Sequence, residues 1–107
     1  MTFPEPTSRP GLPAHWAADP YWRAAMEILA GFPADDARIW AHVSPAGIDY
    51  RQILDEGWSG GQRRVLLTAA ALWDGRTAPL LDVLAGVSDV WWERISEAMR
   101  LLRDGLR

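Results

Sequence analysis

Helix stops recur in this sequence at intervals too short for any long helix. Gly31, Gly57, Gly75, Gly86 and Gly105 each follow a stretch in which apolar residues are spaced three and four apart. Asp19, Asp49, Ser59, Thr77 and Ser88 stand where helix-capping residues are favoured, shortly before the next such stretch. A glycine ends a helix cheaply because it adopts the left-handed conformation without a Cβ penalty. A chain punctuated this way is confined to short helices that fold back on one another. No segment of useful length alternates apolar and polar residues, so no strand is expected.

The first helix should start at Asp19-Pro20, with aspartate as cap and proline in the first helical position. Trp22, Ala25, Met26 and Leu29 then form one buried stripe, ending at Gly31. A second helix is expected over 34–43, with Asp35 and Asp36 in its first turn and Ile39, Trp40 and Val43 inward. Ser44-Pro45-Ala46-Gly47 is a break. Asp49 and Gln52 have the spacing of a capping box for a third, short helix ending at Gly57. Asp55 and Glu56 sit at its unfavourable end for the helix dipole, where Arg63 and Arg64 are expected to offset them.

The strongest helix signal is residues 59–74. Ser59 and Gln62 make a capping box, and Val65, Leu66, Ala69, Leu72 and Trp73 share one face. Thr77, with Pro79 in the first turn, opens a fifth helix ending at Gly86. Ser88 opens the last, in which Trp91, Trp92, Ile95, Ala98, Met99 and Leu102 form the apolar stripe. Helices 59–74 and 88–104 are expected to pack together through Ala69, Leu72, Trp73, Ile95 and Met99. The fold class is therefore all-α: a compact bundle of five or six short helices over residues 19–107. Prolines at 4, 6, 10 and 13 predict a flexible, extended Pro-rich tail over residues 1–18.

A length of 107 residues fits one domain, and 49% apolar composition supplies one core without staples. There is no cysteine, hence neither disulfide nor thiolate metal site, which leans towards a cytoplasmic location. The first residues lack the pattern of a signal peptide, and no apolar run is long enough to span a bilayer. All eleven basic residues are Arg, yet the net charge is −3, so nothing draws the chain as a whole to nucleic acid or an anionic membrane.

Trp58-Ser59-Gly60-Gly61-Gln62-Arg63-Arg64 resembles the signature motif of ATP-binding-cassette ATPases. In that family an SGGQ sequence opens a helix whose amides meet a nucleotide phosphate. Leu80-Leu81-Asp82 is loosely similar to the strand that follows there. The resemblance covers about 25 residues and stops short of the chemistry. A phosphate loop needs a lysine, and this chain has none. Asp82 is not followed by the family's glutamate, and the chain is too short for the domain. A cassette ATPase is excluded, and Ser59-Gly60-Gly61 remains a helix start with the amide geometry to meet an anion.

Residues 79–103 are similar to the helix-turn-helix of bacterial regulators, with a short helix ending at Gly86 and Ser88 opening the second. That resemblance implies a DNA-binding helix using Arg94, Arg100 and Arg103, although Asp89, Glu93 and Glu97 lie among them.

Enzyme chemistry finds little to stand on. His15 and His42 lack partners at metal-ligand spacing, and the adjacent acids Asp35-Asp36 and Asp55-Glu56 project in different directions. No catalytic residue, cofactor or metal is expected. Seven tryptophans are unusual: Trp22, Trp40, Trp73 and Trp92 fit core stripes, whereas Trp16, Trp58 and Trp91 lie on a tail, a cap junction and a stripe edge. Aromatic residues and Arg are enriched at protein interfaces. The expectation is a small, non-catalytic bacterial adaptor or accessory subunit that binds a protein partner or itself. Its candidate contact residues are Trp16, Trp58, Arg63 and Trp91, and helix-turn-helix DNA binding is the alternative.

Overall fold

The structure, a computed structural model, describes residues 18–75 and 80–107. Residues 1–17 of the expected tail, with Trp16, lie outside the described residues, as do the cap and first turn expected at Thr77 and Pro79. What is described is an all-α fold: α1 (Pro20–Leu29), α2 (Ala37–Trp40), α3 (Tyr50–Asp55), α4 (Gly60–Asp74), α5 (Leu80–Gly86) and α6 (Asp89–Gly105).

The helix starts follow the capping chemistry. The Asp19 carboxylate accepts from the amides of Tyr21 at 2.9 Å and Trp22 at 3.4 Å, and Pro20 occupies the first turn of α1. Asp49 Oδ1 accepts from the Gln52 amide at 3.1 Å. Both bonds of the Ser59–Gln62 capping box are present at the start of α4, and Gly75 closes that helix in the left-handed conformation at φ 77°. Ser88 has the extended backbone of a cap but makes no side-chain capping bond.

The centre of the bundle is α1. Trp22 and every residue from Ala24 to Leu29 are buried, not only the stripe that the spacing predicts. The reason is position. α1 makes its most extensive contacts with α6 and its next with α4, whereas α4 and α6 touch each other far less. The expected seam between 59–74 and 88–104 is thus filled largely by α1. Ala69 and Ile95 are buried as expected, but Met99 is turned to solvent. Trp73 meets Trp22 of α1 edge-on, with ring centroids 4.7 Å apart.

α1 and α6 run antiparallel, and a glycine stands at each end of their contact. A Cβ on Gly31 would lie 2.6 Å from Cζ3 of Trp91 and 2.9 Å from Cδ of Arg94. A Cβ on Gly105 would run into the Pro20 ring. Between them, Arg94 Nη1 donates to the carbonyl oxygen of Glu27 at 2.9 Å, satisfying an acceptor near the end of α1.

The helix expected over 34–43 shrinks to the four residues of α2. Asp36 caps it, and Asp35 lies ahead of its first turn. The chain then makes two antiparallel strands of two residues each, β1 (Val43–Ser44) and β2 (Gly47–Ile48), paired Val43 to Ile48 and Ser44 to Gly47. This corrects the expectation of no strand. Two residues are too few to show alternation. Pro45 suits the first corner of the turn, and Gly47 supplies the positive φ, 145°, that a side chain would oppose. The pairing buries Val43 and Ile48.

The acids at the end of α3 are met differently from the expectation. Glu56 pairs with His42 at 2.9 Å, and Arg63 donates to the Leu54 carbonyl at 2.9 Å, capping α3 through its backbone. Arg64 lies instead across Gly86, where an added Cβ would come within 2.7 Å of its side chain.

Gly31→Ala should cost about 1–3 kcal/mol, because Trp91 and Arg94 must both move away from α1. Gly57→Ala, with nothing within 4 Å of its Cβ position, should be neutral or slightly stabilising. Chemical denaturation of the two variants checks the contrast.

Candidate interaction surface

Trp58 joins α3 to α4 and makes three kinds of contact. Its indole N–H donates to the Ile53 carbonyl at 2.6 Å, and Phe32 meets the ring at a centroid distance of 5.5 Å. The Arg38 guanidinium lies 4.0 Å over its centroid. Trp91 packs on Phe32 from α6, at 4.8 Å between centroids. The structure therefore brings Trp58 and Trp91 together around a buried phenylalanine.

Arg38 locks this cluster. Its Nε and Nη2 hold both oxygens of Asp36, and Nη1 donates to the Gly57 carbonyl at 2.7 Å. Asp36 also caps α2 by accepting from the Arg38 amide at 3.0 Å. The hydrogen bond from Arg38 holds the Asp36 carboxyl below its ordinary range, against the opposing effect of burial. Trp58 and Arg38 thus close the loops at one end of the bundle, with their polar groups already used. Arg63 is exposed but committed to Leu54.

Two of the arginines of the DNA-binding alternative make bonds within the chain. Arg94 is tied to Glu27 of α1, and Arg100 bonds Glu97 through two nitrogens and Asp104 at 2.9 Å. Arg103 is exposed, and Asp89 and Glu93 are exposed at the start of the same helix.

Glu27 is a buried acid on α1. Burial holds its carboxyl above the ordinary value of 4.5; Arg94 opposes the shift and Glu97 adds to it.

α6 carries an outward row that differs from the expected buried stripe. Trp92 and Met99, expected inside, are 38% and 39% exposed, and Leu106 just past the helix is 58% exposed. The core face of α6 is carried by Ile95 and Ala98, with Trp91 and Leu102 half-buried against the core. Trp92 and Met99 each stand one position beyond a core residue, about 100° further round the helix. The signal was in the sequence: 92, 99 and 106 are seven apart, the repeat of a helix–helix seam. The apolar stripe expected over Trp91, Trp92, Ile95, Ala98, Met99 and Leu102 is wider than α1 can cover, and Trp92 and Met99 fall outside that cover.

Among the described residues, no three His, Cys, Asp or Glu side chains gather as a metal site, and no helix is long and apolar enough to cross a membrane. Comparison with family models, curated proteins and solved structures returned no match.

Two outcomes follow from the charges. Asp36→Ala should lose about 1–2 kcal/mol near neutral pH, through the lost cap and Arg38 pair. Because the folded carboxyl is depressed, the native contribution is present above pH 3.8 and fades as pH falls through the folded value. Parallel denaturation curves for wild type and variant should therefore converge in acid. Glu27 has the opposite sign. Its raised folded value makes ionisation oppose folding, a penalty absent well below pH 4.5 and complete above the folded value. Glu27→Gln should accordingly gain stability relative to wild type as pH rises from 4 to 7, read by Tm at each pH.

Proposed function

We propose that this is a non-catalytic protein-interaction module, an adaptor or accessory subunit, whose contact surface is the outward row of α6. The observation that carries the reading is Trp92, Met99 and Leu106, exposed at seven-residue spacing on or at the end of one helix. Leaving such a row in water forfeits burial that a partner helix would recover. Trp58, Arg63 and Trp91 also make contacts within the chain, through the Ile53 carbonyl, the Leu54 carbonyl and the Phe32 ring, and the reading places the main contact on the α6 row beside them. A cytoplasmic setting agrees with a chain free of cysteine.

The test uses the full chain as bait in an extract of cells that express it. Trp92→Ala with Met99→Glu should lower capture by about thirtyfold or more, as loss of central contact residues does. Val90→Glu, at an exposed position on the far side of α6, should leave capture unchanged. Circular dichroism verifies that each variant is folded. Equal capture by wild type and double variant overturns the reading. Duplex DNA shifted by the protein, with the shift abolished by Arg103→Gln, favours the helix-turn-helix alternative instead.

A further inference from the structure

The charges along α6 say what fits its outward row. The first half of the helix carries Asp89, Glu93 and Glu97 against Arg94, and Arg94 is turned into the bundle. The last turns carry Arg100, Arg103 and, just beyond the helix, Arg107 against Asp104. Acid at one end and base at the other, beside Trp92, Met99 and Leu106 spaced seven apart, is complementary to itself when reversed. A helix dipole alone also favours this segregation. It does not account for Trp92, Met99 and Leu106 in water beside it.

We infer that the partner of this surface is a second copy of the chain, docked with the two α6 helices antiparallel. The inference rests on α6 being the contact surface. With Met99 on the two-fold axis, Trp92 of each copy meets Leu106 of the other. The same register puts Glu93 between Arg103 and Arg107 of the second copy and brings Asp89 beside its Arg107. Both sets of contacts form twice, as an isologous interface requires. A parallel arrangement would set acid against acid and base against base. A single helix pair of this length buries less than the roughly 1,200 Å² at which stable complexes begin, so the dimer exchanges with monomer.

The absence of cysteine makes the geometry directly testable on purified full-length protein. Met99→Cys places one thiol per chain at the axis, and mild oxidation should yield a disulfide-linked dimer. Val90→Cys, at a position 70% exposed against 39% for Met99 but facing away, should nevertheless yield about tenfold less at the same concentration. Sedimentation equilibrium of the unmodified chain should show a monomer–dimer equilibrium. Met99→Glu should weaken it by about a hundredfold, two carboxylates meeting on the axis. Glu93→Arg should weaken it by about fivefold, and adding Arg103→Glu should restore most of the loss, which a dipole effect would not do. A chain that stays monomeric up to about 1 mM, a concentration that would populate even a very weak complex, overturns the second copy as partner. So does equal crosslinking at positions 90 and 99. Either result leaves the α6 surface standing if Met99→Glu still abolishes capture from extract. Unchanged capture overturns the surface itself.

Discussion

The fold depends on how closely α1 and α6 can approach. Side chains set the usual distance between two helices, and here one partner lacks a side chain at each end of the contact. Gly31 admits the Trp91 ring, and Gly105 admits the Pro20 ring. Closed at both ends, the pair holds Arg94 where its guanidinium reaches the Glu27 carbonyl. It also brings α1 deep enough to be covered by α4 on another side, so that Ala24, Ala25, Ile28 and Leu29 lose all contact with water. An α1 held further out would leave space beside those alanines and strand a buried acid, Glu27, without its cationic neighbour.

Local chemistry was the legible part. Asp19, Asp49, Ser59 and Gly75 act where their residue types say they should, because a cap is settled within a few residues of itself. The short second helix and the two-residue strands were not legible. Asp36 caps α2 late, and the hairpin is too brief to have a period. Long-range assignments fared unevenly. Two long helices with matching apolar faces look like natural neighbours in a sequence, but α1 could be placed between them only by knowing that Gly31 and Gly105 are sites of close contact rather than simple stops. The candidate site illustrates the same limit. Spacing marks which residues are apolar but not how wide an arc the neighbouring helix covers, and that arc decides whether Trp92 and Met99 are core or surface.

Arginine has a structural role here that composition conceals. Arg38, Arg63 and Arg94 each place a guanidinium on a backbone carbonyl, those of Gly57, Leu54 and Glu27. The planar fork reaches such acceptors while its stem lies along apolar surface, as with Arg38 over Trp58. Lysine, with its three donors on one nitrogen, would lack the spread of Nε, Nη1 and Nη2 by which Arg38 meets both oxygens of Asp36 and the Gly57 carbonyl. A high arginine count therefore does not by itself measure how much positive surface a small helical protein offers to an external ligand.

The pairing of Pro20 with Gly105 and of Glu27 with Arg94 also bears on synthesis. α1 is made well before its principal cover, α6. Until residues 91–105 exist, a helix bearing Trp22, Met26, Ile28 and Leu29 has α4 as its main remaining cover. Translation must therefore carry an exposed apolar helix through most of the chain, and interruption anywhere before α6 releases a product that is sticky rather than merely short.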